Sequence, residues 1–391
     1  MSHFAVMVIG QDVEKQLAPY HEFECTGRVD EYVQSIDKLE ETRADYEECT
    51  RSMLRGPEGQ LESPYDDQFY REPTEEEASQ IGVGGFGHCN GICYSSKDWG
   101  DGKGRRAKVQ YVPEGWEKVE VHVKEFKSLL QYILDDHGGD FPILKEGDEP
   151  DLHDACKWGW VRVNADNEVI EHIDRTNPNK EWDWWVIGGR WSNRLKLKET
   201  REGLKVVRDE SLPAGMQVGL EVGPVHRDGE LYVDQALKRD IDIEGMRNEA
   251  GIEAAANWDK AAEAKIAAGF AADATWDSWE VVRERHPDNV EAAREEYHAQ
   301  GAMKAVKQAL DLWRGADEYL TPRDEFIQRA RDSAMVMYAM VKDSKWFAKG
   351  EMGWFGMSTD NMTQAEWNRK VNELLDELTD DTLITIVDCH I

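Results

Sequence analysis

Cysteine is scarce in this chain: Cys25, Cys49, Cys89, Cys93, Cys156 and Cys389 are scattered irregularly over 391 residues. Spacing of that kind argues against a disulfide framework, and a reducing compartment is the expectation. Long apolar runs are also missing. No stretch approaches the ~20 residues that a membrane helix requires, and the opening MSHFAVMVIG lacks the charged-then-apolar order of an export signal, so a cytoplasmic protein without a membrane partner is expected. Basic residues are in deficit. With 47 Lys and Arg against 79 Asp and Glu, the formal net charge is −32, which disfavours direct binding to a nucleic-acid backbone, where a basic stripe must neutralise phosphates. Catalytic signatures are missing as well: the chain has no HExxH and no GxSxG. Composition and motifs therefore name no reaction and no cofactor.

What is present is enough for a large folded body. The chain exceeds the usual size of a single core, so one domain with a large insertion, or two domains, is expected. Hydrophobic residues make up 40% and aromatics 9%, which argues for folding and places the 32% of charged residues mainly on solvated helix surface. The acidic excess has two readings. It keeps a protein soluble by self-repulsion, or it imitates DNA toward a basic partner.

Hydrophobic periodicity predicts an α+β fold. Residues 3–9 (HFAVMVI) read as a buried strand, followed by a short helix to Leu17 that Asp12 is placed to cap and Pro19 interrupts. Residues 364–378 carry Trp367, Val371, Leu374, Leu375 and Leu378 at helical spacing, and LITIV at 383–387 reads as another buried strand. Two such apolar strands predict one sheet containing both, with the pair side by side. Residues 158–163 and 169–173 flank the turn Asn164-Ala165-Asp166-Asn167, while 335–341 and 346–347 flank 342–345, so hairpins should make the sheet mainly antiparallel. Val119 to Val123 followed by Phe126 to Leu134 reads as strand then amphipathic helix. Residues 30–54 read as an acidic helix, part of an insertion over about 30–75. Residues 234–319 are rich in Ala, Glu and Lys, which predicts a helical arm broken at Pro287 and Gly301. The expected domains are an α+β core, 1–233 with 320–391, and the arm, 234–319.

The densest chemistry lies in NPNKEWDWWVIGGRW, residues 177–191. Strand alternation would set Trp182 and Trp184 on one side and Asp183 and Trp185 on the other, with Gly188-Gly189 admitting close approach of backbone or ligand. Arg190 and Trp191 add a guanidinium fork and a stacking plane, suited to a nucleotide base or a sugar. The structural alternative is a buried aromatic cluster with Asp183 satisfied internally. Candidate chemistry comes from His21 and Glu22, with Asp388 and His390 on the 383–387 strand side, if these converge as an acid/base or metal group; a hydrogen-bonded cap over the sheet edge is the plainer reading. GVGGFGHCNGIC, residues 82–93, resembles a phosphate loop without its lysine and hydroxyl. His88, Cys89 and Cys93 form an incomplete zinc set, so a flexible loop is expected there.

The segments HFAVMVIG, QLAPYHEFECTG, TNPNKEWDWWVIGGRWS, VDQALKRDIDIEGMRNEA, GEMGWFG and DDTLITIVDCHI together resemble a family of uncharacterised proteins found in tailed-phage genomes and some bacterial ones. That resemblance carries no catalytic residue or cofactor. It implies a phage-encoded accessory protein acting in the host cytoplasm. The expected function is binding of a host protein, a defence or regulatory factor. The alternative is an enzyme or sequestering protein for a small nucleotide-like ligand held by Trp182, Asp183, Trp184, Trp185, Arg190 and Trp191, and a structural role in the virion comes third.

Overall fold

A computed structural model describes residues 2–81, 85–89, 91–139, 141–198, 225–227, 230–313, 315–353 and 358–391. The fold is α+β, with helices set against mixed sheets. Compactness divides the chain into two units, residues 1–32 with 177–391, and residues 33–176. The helical segment 234–319 thus groups with the terminal strands, and the division falls instead around 33–176.

The central sheet of the first unit contains β1 (His3–Ile9), β2 (Trp184–Ile187), β3 (Gln235–Leu237), β4 (Ala339–Lys342), β5 (Lys345–Ala348) and β6 (Leu383–His390). β6 runs three residues beyond the apolar LITIV, and all eight of its residues are buried. β1 and β6 pair antiparallel from His3↔His390 to Ile9↔Ile384, side by side as the apolar composition of both strands predicts. On its other edge β6 carries β2 and β3 end to end, with Trp184 opposite His390 and Gln235 opposite Thr385. β4 lies parallel to β1 and returns through a tight turn into β5, with Asp343 and Ser344 at positive φ of 53° and 55°. Both turn residues in that region suit a two-residue hairpin of primed type.

Both faces of this sheet are covered, which is why its inner strands read as continuous apolar runs rather than as alternation. One face carries Met7, Ile9, Met340, Ile384 and Ile386 against Trp367, Val371 and Leu375 of the helix Gln364–Asp376. A capping box between Thr363 and Glu366 starts that helix, and the Trp367 Nε1–H donates to the Met337 carbonyl at 2.9 Å. The other face packs Phe4, Val6, Val8, Val387 and Cys389 against Val13, Leu17, Trp182 and Trp185. The short helix Val13–Leu17 forms as expected, but Asp12 sits in the left-handed region and its side chain makes no cap. The Ala-rich segment forms Ile243–Ala267, Trp279–Arg285, Val290–Ala299 and Gly301–Ala309. Pro287 follows the second of these and Gly301 opens the fourth, so one long helix and three short ones replace a single rod.

In the second unit, Ile143–Lys145, Gly159–Val163, Val169–Thr176 and Gln34–Asp37 form a sheet in that order. Two sequence expectations fail here. The acidic helix read over 30–54 is confined to Leu39–Glu48, because Gln34–Asp37 pairs with Val169–Thr176 and Thr50–Arg55 with Glu117–His122, partners of which local spacing carries no record, while Thr50–Arg55 also turns back on Leu61–Glu62. The loop read over 82–93 contains the hairpin Gly85–Cys89 with Ile92–Asp98, whose strand–strand form leaves no helix start for a phosphate. Gly82, Val83, Gly84 and Asn90 lie outside the described residues.

Candidate functional site

On the face of β6 that carries Ile384 and Ile386, strand alternation brings Asp388 and His390 next. The strand leaves its apolar patch and ends in buried polar groups, which must find partners within the protein. Asp388 accepts from the His3 imidazole Nδ1, 3.0 and 3.2 Å from its two oxygens, and from the Arg190 backbone N–H at 2.9 Å. The His390 Nδ1 lies 2.7 and 2.8 Å from the two oxygens of Asp183. Side-chain exposure is 2% for Asp388 and 7% for His390. Register explains the grouping: His390 stands between its cross-strand partners His3 and Trp184. Its ring stacks on Trp184 at 5.0 Å and 16°, and meets the His3 ring edge-on at 4.9 Å.

Each imidazole thus holds a carboxylate through Nδ1. A carboxylate can only accept, so Nδ1 carries the proton and the neutral ring keeps its lone pair on Nε2. Among the described residues neither Nε2 has a hydrogen-bond partner. Such a nitrogen can accept a proton or ligate a metal.

Gly188 and Gly189 matter to this geometry for a steric reason. They have φ of +72° and +53°, and a Cβ on Gly189 would lie 2.5 Å from the Asp388 Cβ and Oδ2. A Cβ on Gly188 would lie 2.5 Å from an Asp234 oxygen. Two carboxylates of the chain itself therefore fill the space that the glycines leave. Asp234 accepts the Asn193 backbone N–H, and burial pushes its carboxyl above the ordinary aspartate range.

Beyond this turn opens a cavity of about 720 Å³. Its walls are the start of β1 at His3 to Ala5, the turn residues Trp191, Asn193 and Arg194, and one face of the helix Ile243–Ala267 carrying Met246, Glu249, Ala250 and Glu253. Spacing of three and four residues puts those four on a single helical stripe. The Arg194 guanidinium lies over the Trp191 ring, 5.4 Å from its centroid. Two buried polar atoms of these residues, the Trp191 indole Nε1 and the Asn193 Oδ1, have no hydrogen-bond partner among the described residues, and both lie beneath the cavity surface.

No family model matches the chain, and neither the curated proteins nor the solved structures yield a match.

The tryptophan tract is divided. Trp182 and Trp185 are 4% and 2% exposed and sit in the core with rings T-shaped at 6.5 Å, whereas Trp184 is 40% exposed. The expected alternation from 182 onward fails because ladder pairing begins only at Trp184; Trp182 instead bridges in parallel to His21. Its Nε1–H donates to the Leu17 carbonyl. Arg190 contributes its backbone amide, while its side chain is exposed and absent from the cavity wall. Trp191 lines the cavity.

Of the four chemistry candidates, Asp388 and His390 meet at the strand end. His21 is fully buried and bonded elsewhere, to Thr26 Oγ1 at 2.9 Å and Asp30 at 3.2 Å. Glu22 accepts from the Cys25 thiol at 3.3 Å, and the ligating atoms of Glu22, Cys25 and Asp183 lie within 4.8 Å of one another. Burial and then Glu22 push the Cys25 thiol up to about 11. His88 and Cys93 face each other across their hairpin, one step off from Cys89, and no metal-binding group includes them among the described residues. His3, Asn193, Arg194 and Asp234 were not singled out from the sequence. A signal for His3 existed: an antiparallel pairing of the two apolar strands puts His3 and His390 at the same end.

Proposed function

We propose that the first unit binds a small planar polar ligand, of the nucleobase or nucleoside class, in the cavity beside His3. The observation that carries this reading is the Arg194 guanidinium over the Trp191 ring on the cavity wall, beside the His3–Asp388 pair. A planar ring suits the Arg194–Trp191 stack, and a nucleobase offers such a ring. The volume of about 720 Å³ lies within the range of small-ligand sites. Glu249 and Glu253 on the helical wall oppose a polyphosphate, which favours a nucleoside or monophosphate over a triphosphate. The His3–Asp388 pair adds an Nε2 able to take a proton from the ligand.

Nucleobases, nucleosides and monophosphates are to be titrated against the full chain by thermal shift and calorimetry. Binding at 100 times Kd raises stability by roughly 2.7 kcal/mol through mass action. Trp191→Ala removes the stacking plane and is expected to weaken binding about tenfold. A panel in which no compound raises the Tm overturns the reading.

A second reading, binding of a host protein in the cytoplasm of an infected cell, draws on the formal net charge of −32 and on exposed aromatic surface such as Trp313, 85% exposed. It predicts capture of one specific basic partner whose affinity falls steeply with added salt.

A further inference from the structure

The second unit holds a constellation that the cavity reading does not use. Val169–Thr176 carries His172 and Asp174 two positions apart, hence on one side of the strand. Opposite Asp174 in the ladder is Gly159, and opposite His172 is Val161. His137 arrives from another element, as the residue that ends the helix Leu129–Asp136. The two imidazoles meet nitrogen to nitrogen, with His137 Nε2 3.1 Å from His172 Nε2, and Asp174 Oδ1 lies 3.7 Å from His137 Nε2. The three ligating atoms are all within 4.8 Å of one another.

We propose that His137, His172 and Asp174 bind a divalent transition-metal ion of the zinc class. Two nitrogens at about 2.0–2.1 Å from a tetrahedral ion stand roughly 3.3 Å apart, close to the spacing present here. The ring orientations are set from behind. His172 is buried, and its Nδ1 lies 2.9 Å from Thr42 Oγ1, a hydroxyl able to accept the Nδ1–H and so leave the lone pair on Nε2. The His137 ring lies flat on Phe141, with centroids 3.8 Å apart and an angle of 9°. Outer partners of this kind are what orient metal-binding histidines. Two imidazoles with one carboxylate select zinc, cobalt or nickel over calcium or magnesium, which prefer all-oxygen sets. His137 and Asp174 are 24% and 35% exposed, so a fourth ligand would come from the solvent side. Three protein ligands and one exchangeable position is the arrangement of open zinc sites.

The full chain, stripped with a chelator, is to be titrated with Co2+ and followed by visible absorption, then displaced with Zn2+. One equivalent should bind with the spectrum of a nitrogen- and oxygen-ligated ion. His137→Ala, at a partly exposed helix end, should lower affinity at least 100-fold, and Asp174→Asn and Thr42→Val about 10- to 100-fold. Cys25→Ser, which alters the Glu22, Cys25 and Asp183 group of the first unit, should leave it unchanged. His172→Ala is the stronger lesion, and His137→Ala keeps the test usable if that variant fails to fold. Failure of the stripped protein to bind a stoichiometric ion, or equal affinity in His137→Ala, overturns the proposal and means that the rings share an N–H···N hydrogen bond instead.

Discussion

Single residues in the Gly188–Arg194 turn serve packing as much as recognition. Gly189→Ala would press a methyl into Asp388 from a φ of +53° and should destabilise the protein by about 1–3 kcal/mol, measurable as a lower midpoint in denaturant. Glu181 provides a pH readout. Burial, and then Glu351, raises its carboxyl to about 7. The folded state therefore holds its proton more tightly than the unfolded chain, in which Glu titrates near 4.3. This term is harmless at low pH, and stability falls as pH rises from about 4.3 to about 7. Glu181→Gln should remove that slope and gain roughly 1 kcal/mol above pH 7, after allowance for solvent screening. Equal slopes for the two proteins in urea melts from pH 4 to 8 would contradict it. At this scale the composition of 177–191 shows a concentration of aromatic and charged groups, but not which of them face out. Trp182 and Trp184 look alike in sequence, and one is core while the other stacks on His390. That difference comes from where the ladder with β6 begins, a property of the partner strand.

Among the elements, those that bury an apolar stripe or run of their own sequence were readable. The helix Gln364–Asp376 buries Trp367, Val371 and Leu375, and its capping box is spelled in Thr363 and Glu366. Trp367→Ala should cost about 3–5 kcal/mol, because a fully buried ring and its hydrogen bond to Met337 are lost together. Thr363→Ala should cost about 1 kcal/mol, and thermal melts of the two variants would rank them. Gln34–Asp37 was not readable in this way. Its four residues are mostly exposed and polar, and they become a strand only because Val169–Thr176 offers an open edge. The helix pattern of 39–48 was extended over neighbours that obey a different partner.

For the molecule as a whole, connectivity is the informative property. Gln34 and Thr176 are register partners in adjacent antiparallel strands, so the chain enters and leaves the second unit at neighbouring points. Replacing residues 33–176 with a short flexible linker should therefore leave the first unit folded, since closing that gap requires only a few residues. Retention of a cooperative melt and of near-ultraviolet tryptophan signal would bear this out. Removal of residues 383–391 should have the opposite result, because it takes out the strand that joins β1 to β2 and β3.

The sequence by itself determined the α+β class, the apolar strands that meet at the sheet centre, the terminal amphipathic helix and the breaks in the alanine-rich segment. Those features depend on local periodicity and on burial that any partner would satisfy. Tertiary structure alone decided that His3 reaches Asp388, that Asp234 and Asp388 occupy the space beside Gly188 and Gly189, and that His137 meets His172. Each of these contacts joins residues distant in the chain, and strand register and helix placement, which no local pattern encodes, bring them within bonding distance.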